Sequence, residues 1–256
     1  MPRTGTAKAV LRKLRDAPPA LAVIGCLIAL LALWFAANVL VQVARKPTEL
    51  FFLVSEALHK NPADTWRQYA PIFREHSTAV ITPDFLAALA QVESAGNPVA
   101  RPAWRWRLTE DPFDVYRPAS SAVGMFQITD GTLRQARRYC IHGHVVAEDG
   151  PWHEWNSCWF NSFYLRVIPS HAAEMTSAFL DRGASRALLR LGIRRATLRQ
   201  RQDLAAVIHL CGTLAGEAYA QSEFRVPVNQ RCGDQDVRAY VERVRATQRL
   251  FADIAG

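Results

Sequence analysis

Thr82-Pro83-Asp84-Phe85-Leu86-Ala87-Ala88-Leu89-Ala90-Gln91-Val92-Glu93-Ser94-Ala95-Gly96-Asn97-Pro98 is the stretch on which the reading of this chain turns. Thr82 is an N-cap candidate, Pro83 suits the first helical position, and Asp84 favours the positive end of a helix. Ala95-Gly96-Asn97-Pro98 is a stop signal. The spacing predicts a helix over 83–94. Glu93 follows Leu86 by seven residues and Leu89 by four, which puts it on the apolar stripe in the last turn. Partial burial and the negative end of the helix dipole both disfavour its charge. A carboxyl kept neutral there is what a general acid needs near neutral pH. The plain alternative is a Glu turned sideways into water.

Outward from this helix the chain reads as helical almost throughout. Helices are expected over 48–60, 63–76, 130–139, 161–168, 171–182, 184–191, 198–211 and 236–253, from apolar positions recurring at three and four. Ser170 reads as the N-cap of the helix at 171. Clean period-two alternation is missing, apart from short candidate strands around 113–128.

Ala20 to Val43 holds no Asp, Glu, Lys or Arg, and its 24 residues fit one membrane crossing. A soluble helix of that length would show a polar face; here Asn38 and Gln42, near the far end, are the polar residues. Residues 1–19 carry a net charge of +4, which predicts an N-terminus inside and residues 44–256 exported. The apolar run exceeds a signal-peptide core, and bulky Trp34 and Phe35 precede Ala36-Ala37, so an uncleaved anchor is expected. The whole chain is +8, but the exported residues carry 26 basic and 22 acidic groups. Half of the basic balance is therefore a topology signal, and the remaining +4 does not argue for nucleic acid. Arg182, Arg186, Arg190, Arg194, Arg195, Arg199 and Arg201 form a basic stretch, read as contact with anionic wall, lipid or protein, or as a solvated face.

Cys140, Cys158, Cys211 and Cys232 lie beyond the span and Cys26 within it. Four cysteines allow three connectivities; in an exported chain the local pairs Cys140–Cys158 and Cys211–Cys232 are expected. A zinc site from Cys140, His142, His144, His153 and Cys158 is the sharper alternative, although no C-x-x-C or H-x-x-x-H pair is present.

Gln91–Pro98, followed by Ser121-Ala122-Val123-Gly124-Met125-Phe126-Gln127-Ile128-Thr129, resembles the lytic transglycosylase (SLT) family, of lysozyme-like fold. In that family an E-S pair ends a helix and a G-x-x-Q signature follows, usually G-L-M-Q and here G-M-F-Q. The resemblance covers roughly residues 80–215 and is strong in these two patches. It implies a mainly α, lysozyme-like transglycosylase domain (80–256) behind a cytoplasmic basic tail (1–19), a transmembrane anchor (20–43) and a helical stalk (44–79), although 48–76 would also serve to pack on the main domain. It implies that Glu93 protonates the bond between N-acetylmuramic acid and N-acetylglucosamine, the substrate's 2-acetamido oxygen attacks C1, and Glu93 then acts as base on the C6 hydroxyl. One carboxylate serves where most glycosidases use two, and neither cofactor nor metal is called for. Gln127 would contact the sugar, Ser94 would orient Glu93, and Met125 and Phe126 would line the groove.

The chain also departs from the family. Glu93 and Gln127 are 34 residues apart, lengthened by Arg101–Ala119 with Trp104-Arg105-Trp106-Arg107 at its centre. That insert reads as a groove wall, with Trp104 and Trp106 stacking on sugar, or as a surface insertion. Where the family commonly has A-Y-N-A-G, this chain has Ile208-His209-Leu210-Cys211-Gly212. The task of that Tyr, fixing the catalytic carboxylate, would pass to His209 or to a Tyr elsewhere; a core histidine is the plainer reading. Glu110, Asp111, Asp114 and Glu174 are the candidates for a second acid, each otherwise a cap or surface charge. Trp152-His153-Glu154-Trp155-Asn156-Ser157-Cys158-Trp159 reads as a saccharide platform or as packing around a disulfide.

The resemblance implies peptidoglycan glycan strands as substrate and an inner-membrane protein with its domain in the periplasm. The long insert and Cys-rich C-terminal half look similar to transglycosylases encoded with secretion or conjugation systems, which implies such a complex as a partner. A hydrolytic muramidase and a non-catalytic wall-binding scaffold remain as alternatives. N-terminal sequencing of the mature protein is expected to find the apolar run retained; a start near Asn38 would show a cleaved leader instead.

Overall fold

The computed structural model describes residues 18–154, 156–227 and 229–256. Residues 1–17 of the basic tail, and Trp155, lie outside the described residues. The chain is mainly helical and divides into two compact units, Met1–Leu50 with Trp104–Pro118, and Phe51–Ala103 with Ala119–Gly256.

The first unit is built on α1, Pro19–Arg45, long and apolar enough to cross a membrane. Leu21, Leu27, Leu31, Leu33 and Leu40 on it are exposed, whereas Asn38 and Gln42 are buried. What buries them is the insert. Trp104–Trp106 (β1) pairs antiparallel with Tyr116–Pro118 (β2), Trp106 opposite Tyr116. Asn38 Nδ2 donates to the Tyr116 carbonyl at 2.7 Å and Gln42 Nε2 to that of Phe113 at 2.5 Å. Trp34 Nε1 donates to Pro112 O at 3.1 Å, and Arg45 pairs with Asp114 at 2.6 Å. Trp34 stacks with Trp106 and Phe35 with Tyr116. The insert is thus a hairpin docked on α1, which neither sequence reading anticipated.

The second unit encloses one hydrophobic core. Pro62–Glu75 (α2), capped by Asn61 accepting from the Asp64 amide at 2.9 Å, buries Trp66, Tyr69 and Phe73 in it. Of the two readings of 48–76, stalk or packing on the main domain, the second helix takes the latter, and 48–60 forms the short 3-10 turns Pro47–Leu53 and Glu56–Leu58 in place of a helix. Pro83–Ser94 (α3) is the helix its signals predict, with Phe85, Leu86 and Leu89 almost wholly buried. Each such side chain stabilises the fold by about 1.5–3 kcal/mol. Thr82 heads α3 without side-chain capping; its hydroxyl accepts from Gln202 at 3.0 Å instead.

Asp130–Ala136 (α4) ends sooner than expected, because Tyr139–His142 (β3) pairs with Val145–Glu148 (β4) across the two-residue turn Gly143-His144. Both turn residues have positive φ, as a tight hairpin requires. The helix expected over 161–168 is a 3-10 turn, Trp159–Phe163. The two helices expected over 171–191 are one, Pro169–Arg190 (α5). Gly183 does not break it: its backbone is helical, and a glycine inside a helix costs only about 1 kcal/mol relative to alanine. Leu198–Cys211 (α6) starts with a capping box of Thr197 and Gln200. Thr213–Gln221 (α7) was not expected. The two-residue strands Arg231–Cys232 (β5) and Gln235–Asp236 (β6) lead into Val237–Ala255 (α8), which packs along α3.

Both expected disulfides are present, Cys140–Cys158 and Cys211–Cys232. They displace the zinc alternative: two of its five ligands are bonded to each other, and no group of three His, Cys, Asp or Glu among the described residues is placed to hold a metal ion.

Ser170 is not the N-cap of α5; Ile168 is, with Pro169 first in the helix. The Ser170 hydroxyl instead meets His76 Nε2 at 2.7 Å, at a buried junction of α2 and α5. Burial holds the His76 imidazole below its ordinary value, against the opposing pull of Glu174 and Glu75. His171 is lowered as well, again chiefly by burial. An unfolded imidazole titrates near about 6.5. Below that pH the unfolded chain takes up a proton that folded His76 refuses, so stability is full above it and is lost as pH falls through the folded value. Thermal melts should therefore fall between about pH 7.5 and about pH 5.5, and His76→Gln should flatten that fall; an unchanged slope in the variant would remove His76 from the account.

Candidate active site

The end of α3 is a joint at which most of its polar groups are engaged. Ala95, left-handed at φ 51°, caps the helix. Gly96 follows at φ 67°, where a Cβ would stand 2.4 Å from Thr65 Oγ1. That hydroxyl donates to Gln91 Oε1 at 2.8 Å, and Gln91 Nε2 donates to Lys60 O at 3.0 Å. Asn97, fully buried, donates to the Ser55 carbonyl at 2.6 Å. Ser94 Oγ donates to the Met125 carbonyl at 2.8 Å, and this bond brings the two sequence patches together. Ser94 therefore does not orient Glu93 directly, which corrects the role expected for it.

The second patch is a tight turn. Val123 and Ile128 exchange backbone hydrogen bonds at 3.2 and 3.1 Å, closing the loop Gly124–Gln127. Gln127 has φ 47°, and its Nε2 donates to Gly124 O at 2.9 Å and Ala100 O at 3.3 Å. Its Oε1 accepts nothing among the described residues. Met125 and Phe126 are fully buried and belong to the core, so they do not line a groove.

Glu93 is held from two other helices. Tyr240 Oη, on α8, donates to Glu93 Oε1 at 2.5 Å across 147 residues of sequence. His209 Nε2, on α6, lies 3.5 Å from the same oxygen. Oε2 accepts no hydrogen bond among the described residues. The Glu93 side chain is 17% exposed and that of His209 9%. Burial, and then the Glu93 charge, push the Tyr240 hydroxyl well above its ordinary value, so it stays protonated and donates. His209, at the position of the family's Tyr, thus does reach the carboxylate. Tyr240 carries the stronger contact, and no sequence motif named it. The available signal was its place on the apolar face of the last helix, because a buried Tyr needs a partner for its hydroxyl.

The other candidates are engaged elsewhere. Trp104 and Trp106 belong to the first unit, where Trp104 Nε1 donates to Glu49 at 2.8 Å and Trp106 stacks on Tyr116. Asp111 and Asp114 pair with Arg45. Glu174 is buried, accepting from the Tyr164 hydroxyl at 2.7 Å and the Ile141 amide at 2.9 Å. Glu110 is exposed. Trp152 and Trp159 are exposed, and Trp159 packs edge-on against Phe160 and Phe163, so the platform faces solvent more than the disulfide. In the basic stretch, Arg186 and Arg182 pair with Glu148 and Arg190 with Glu217.

No protein-family model, curated protein or solved structure matches the chain.

Gly124, at φ +83°, offers a direct check on the turn. A Cβ there would stand 2.2 Å from the Arg166 carbonyl oxygen, a backbone atom that cannot yield cheaply. Gly124→Ala is expected to cost about 3 kcal/mol or more in denaturant melts, by strain at positive φ together with a clash. Gly131→Ala in α4, where the nearest atom is 3.9 Å away, should be neutral or stabilise by up to about 1 kcal/mol.

Proposed function

We propose that this protein is a membrane-anchored lytic transglycosylase with a lysozyme-like catalytic domain, cutting the β-1,4 bond from N-acetylmuramic acid to N-acetylglucosamine in peptidoglycan. One observation carries the reading: a largely buried carboxylate, at the end of the E-S helix, bound through one oxygen by a buried tyrosine and unengaged at the other.

In this mechanism Glu93 starts as the acid. Its proton passes to the glycosidic oxygen as the C1–O bond breaks, and N-acetylglucosamine departs with a free 4-hydroxyl. The 2-acetamido carbonyl oxygen of the muramoyl residue closes on C1. The C6 hydroxyl then attacks C1, that temporary C1–O bond opens, and the hydroxyl proton returns to Glu93. The product is a 1,6-anhydromuramoyl end; no water is consumed and the acid is regenerated. Tyr240 keeps Oε1 in place while Oε2 meets the substrate, a positioning role. Gln127 Oε1, also unengaged, would accept from the sugar. The engagement of Asp111, Asp114 and Glu174 elsewhere supports this reaction over hydrolysis, which uses a second carboxylate.

The apolar helix α1 supports single-pass anchoring. The net positive charge of residues 1–19 gives a cytoplasmic N-terminus and a periplasmic domain in an inner membrane. A secretion or conjugation machine that needs a gap in the wall is the partner such an anchored enzyme suits.

Mass spectrometry of muropeptides tests the proposal. Wild type should release anhydro ends, and Glu93→Gln should release none. Tyr240→Phe should slow release about 10- to 100-fold, as expected for a lost hydrogen bond to a charged group, with KM nearly unchanged. Reducing ends from wild type would establish a muramidase, and wall binding without products would establish a scaffold.

A further inference from the structure

Trp34, Asn38, Gln42 and Arg45 recur along one face of α1, and each is bonded to the segment between Pro112 and Tyr116. Three of these bonds satisfy backbone carbonyls, those of Pro112 and Phe113 in the irregular loop and that of Tyr116 at the start of β2. In water those carbonyls would need no such help. Within a bilayer, every unsatisfied backbone group costs several kcal/mol, and irregular backbone survives only where protein groups satisfy it. The helix supplies what lipid cannot.

Length points the same way. The 24 residues of Ala20–Val43 make about 36 Å of helix, against a hydrocarbon core of about 30 Å. The excess of about 6 Å is close to one helical turn. A span that begins at Ala20 therefore reaches the outer hydrocarbon border near Leu40, so Asn38 lies just inside that border and Gln42 and Arg45 fall in the headgroup layer. The hairpin bonded to those residues lies at that level too.

Its side chains suit that layer. Trp106 stacks on Trp34 yet stays 67% exposed, and Leu108, next but one, is completely exposed. Arg105 and Arg107 alternate with them and are exposed. Indoles favour the membrane–water interface, and arginines favour anionic headgroups.

We propose that the hairpin 104–118 is a second membrane-contact element, lying in the headgroup layer of the leaflet where α1 emerges, with Trp106 and Leu108 entering the acyl boundary. The proposal rests on α1 being a membrane span, and the test separates the two. The full chain carrying Cys26→Ser is given one new cysteine, Leu108→Cys or Leu27→Cys. Each is labelled with an environment-sensitive fluorophore and reconstituted in vesicles of phosphatidylethanolamine and phosphatidylglycerol. The Leu27 label should be quenched most by nitroxides deep on the acyl chain. The Leu108 label should lose roughly half or more of its emission to shallow nitroxides, as at a burial of about 5–10 Å, and little to a water-soluble one. Adding Asn38→Leu with Gln42→Leu should release it to water. A Leu108 label that answers only the soluble quencher, beside a quenched Leu27 label, overturns the hairpin proposal and leaves the span standing; seating on protein or glycan would give that result. An unquenched Leu27 label removes the span and the proposal together. Immersion that survives the double variant overturns the part assigned to the polar row.

Discussion

A carboxylate in the last turn of a helix that turns Phe85, Leu86 and Leu89 into the core has to be satisfied from outside that helix. α3 buries Phe85, Leu86 and Leu89, so its last turn is committed to the interior. A buried charge without partners costs several kcal/mol. The second unit answers by bringing α8 along α3 until the Tyr240 hydroxyl reaches Glu93, and by placing His209 of α6 beside it. The order of the last third of the chain serves this need. α6, α7 and the small hairpin before α8 carry the chain from one partner of Glu93 to the other.

The same packing explains why the motif residues are mostly structural. Ser94, Asn97, Met125 and Phe126 build the joint between helix end and turn rather than a binding surface. The proposed chemistry falls to the few atoms that this scaffold leaves unengaged, Glu93 Oε2 and Gln127 Oε1.

How far the sequence could be read follows from how local each signal is. The bounds of α3 were legible because cap, proline and stop residues all lie within one stretch, and the disulfides because short loops favour neighbouring cysteines. The joining of two expected helices into α5 was not, since Gly183 reads as a gap between them although a helix tolerates one glycine at a cost of about 1 kcal/mol. Nor were β3 and β4, where Gly143 and His144 make a turn that local patterning on either side does not announce. The docking of the insert on α1 depends on Asn38 and Gln42 meeting carbonyls more than seventy residues away. Those two residues were visible as oddities in the span, and their partners were not. Tyr240 shows the same limit: its burial could be read from period, its bond to Glu93 could not.

The Cys211–Cys232 bridge begins two residues after His209 and ends eight before Tyr240. Between the sulfurs lie α7, which buries Tyr219 and Ala220 in the core, and the chain that leads to β5. Native proteins open in pieces, each with its own free energy. A covalent bridge around one such piece uncouples its fluctuations from its surroundings. A local opening between the sulfurs would leave the two side chains beside Glu93 tethered by a path that bypasses it.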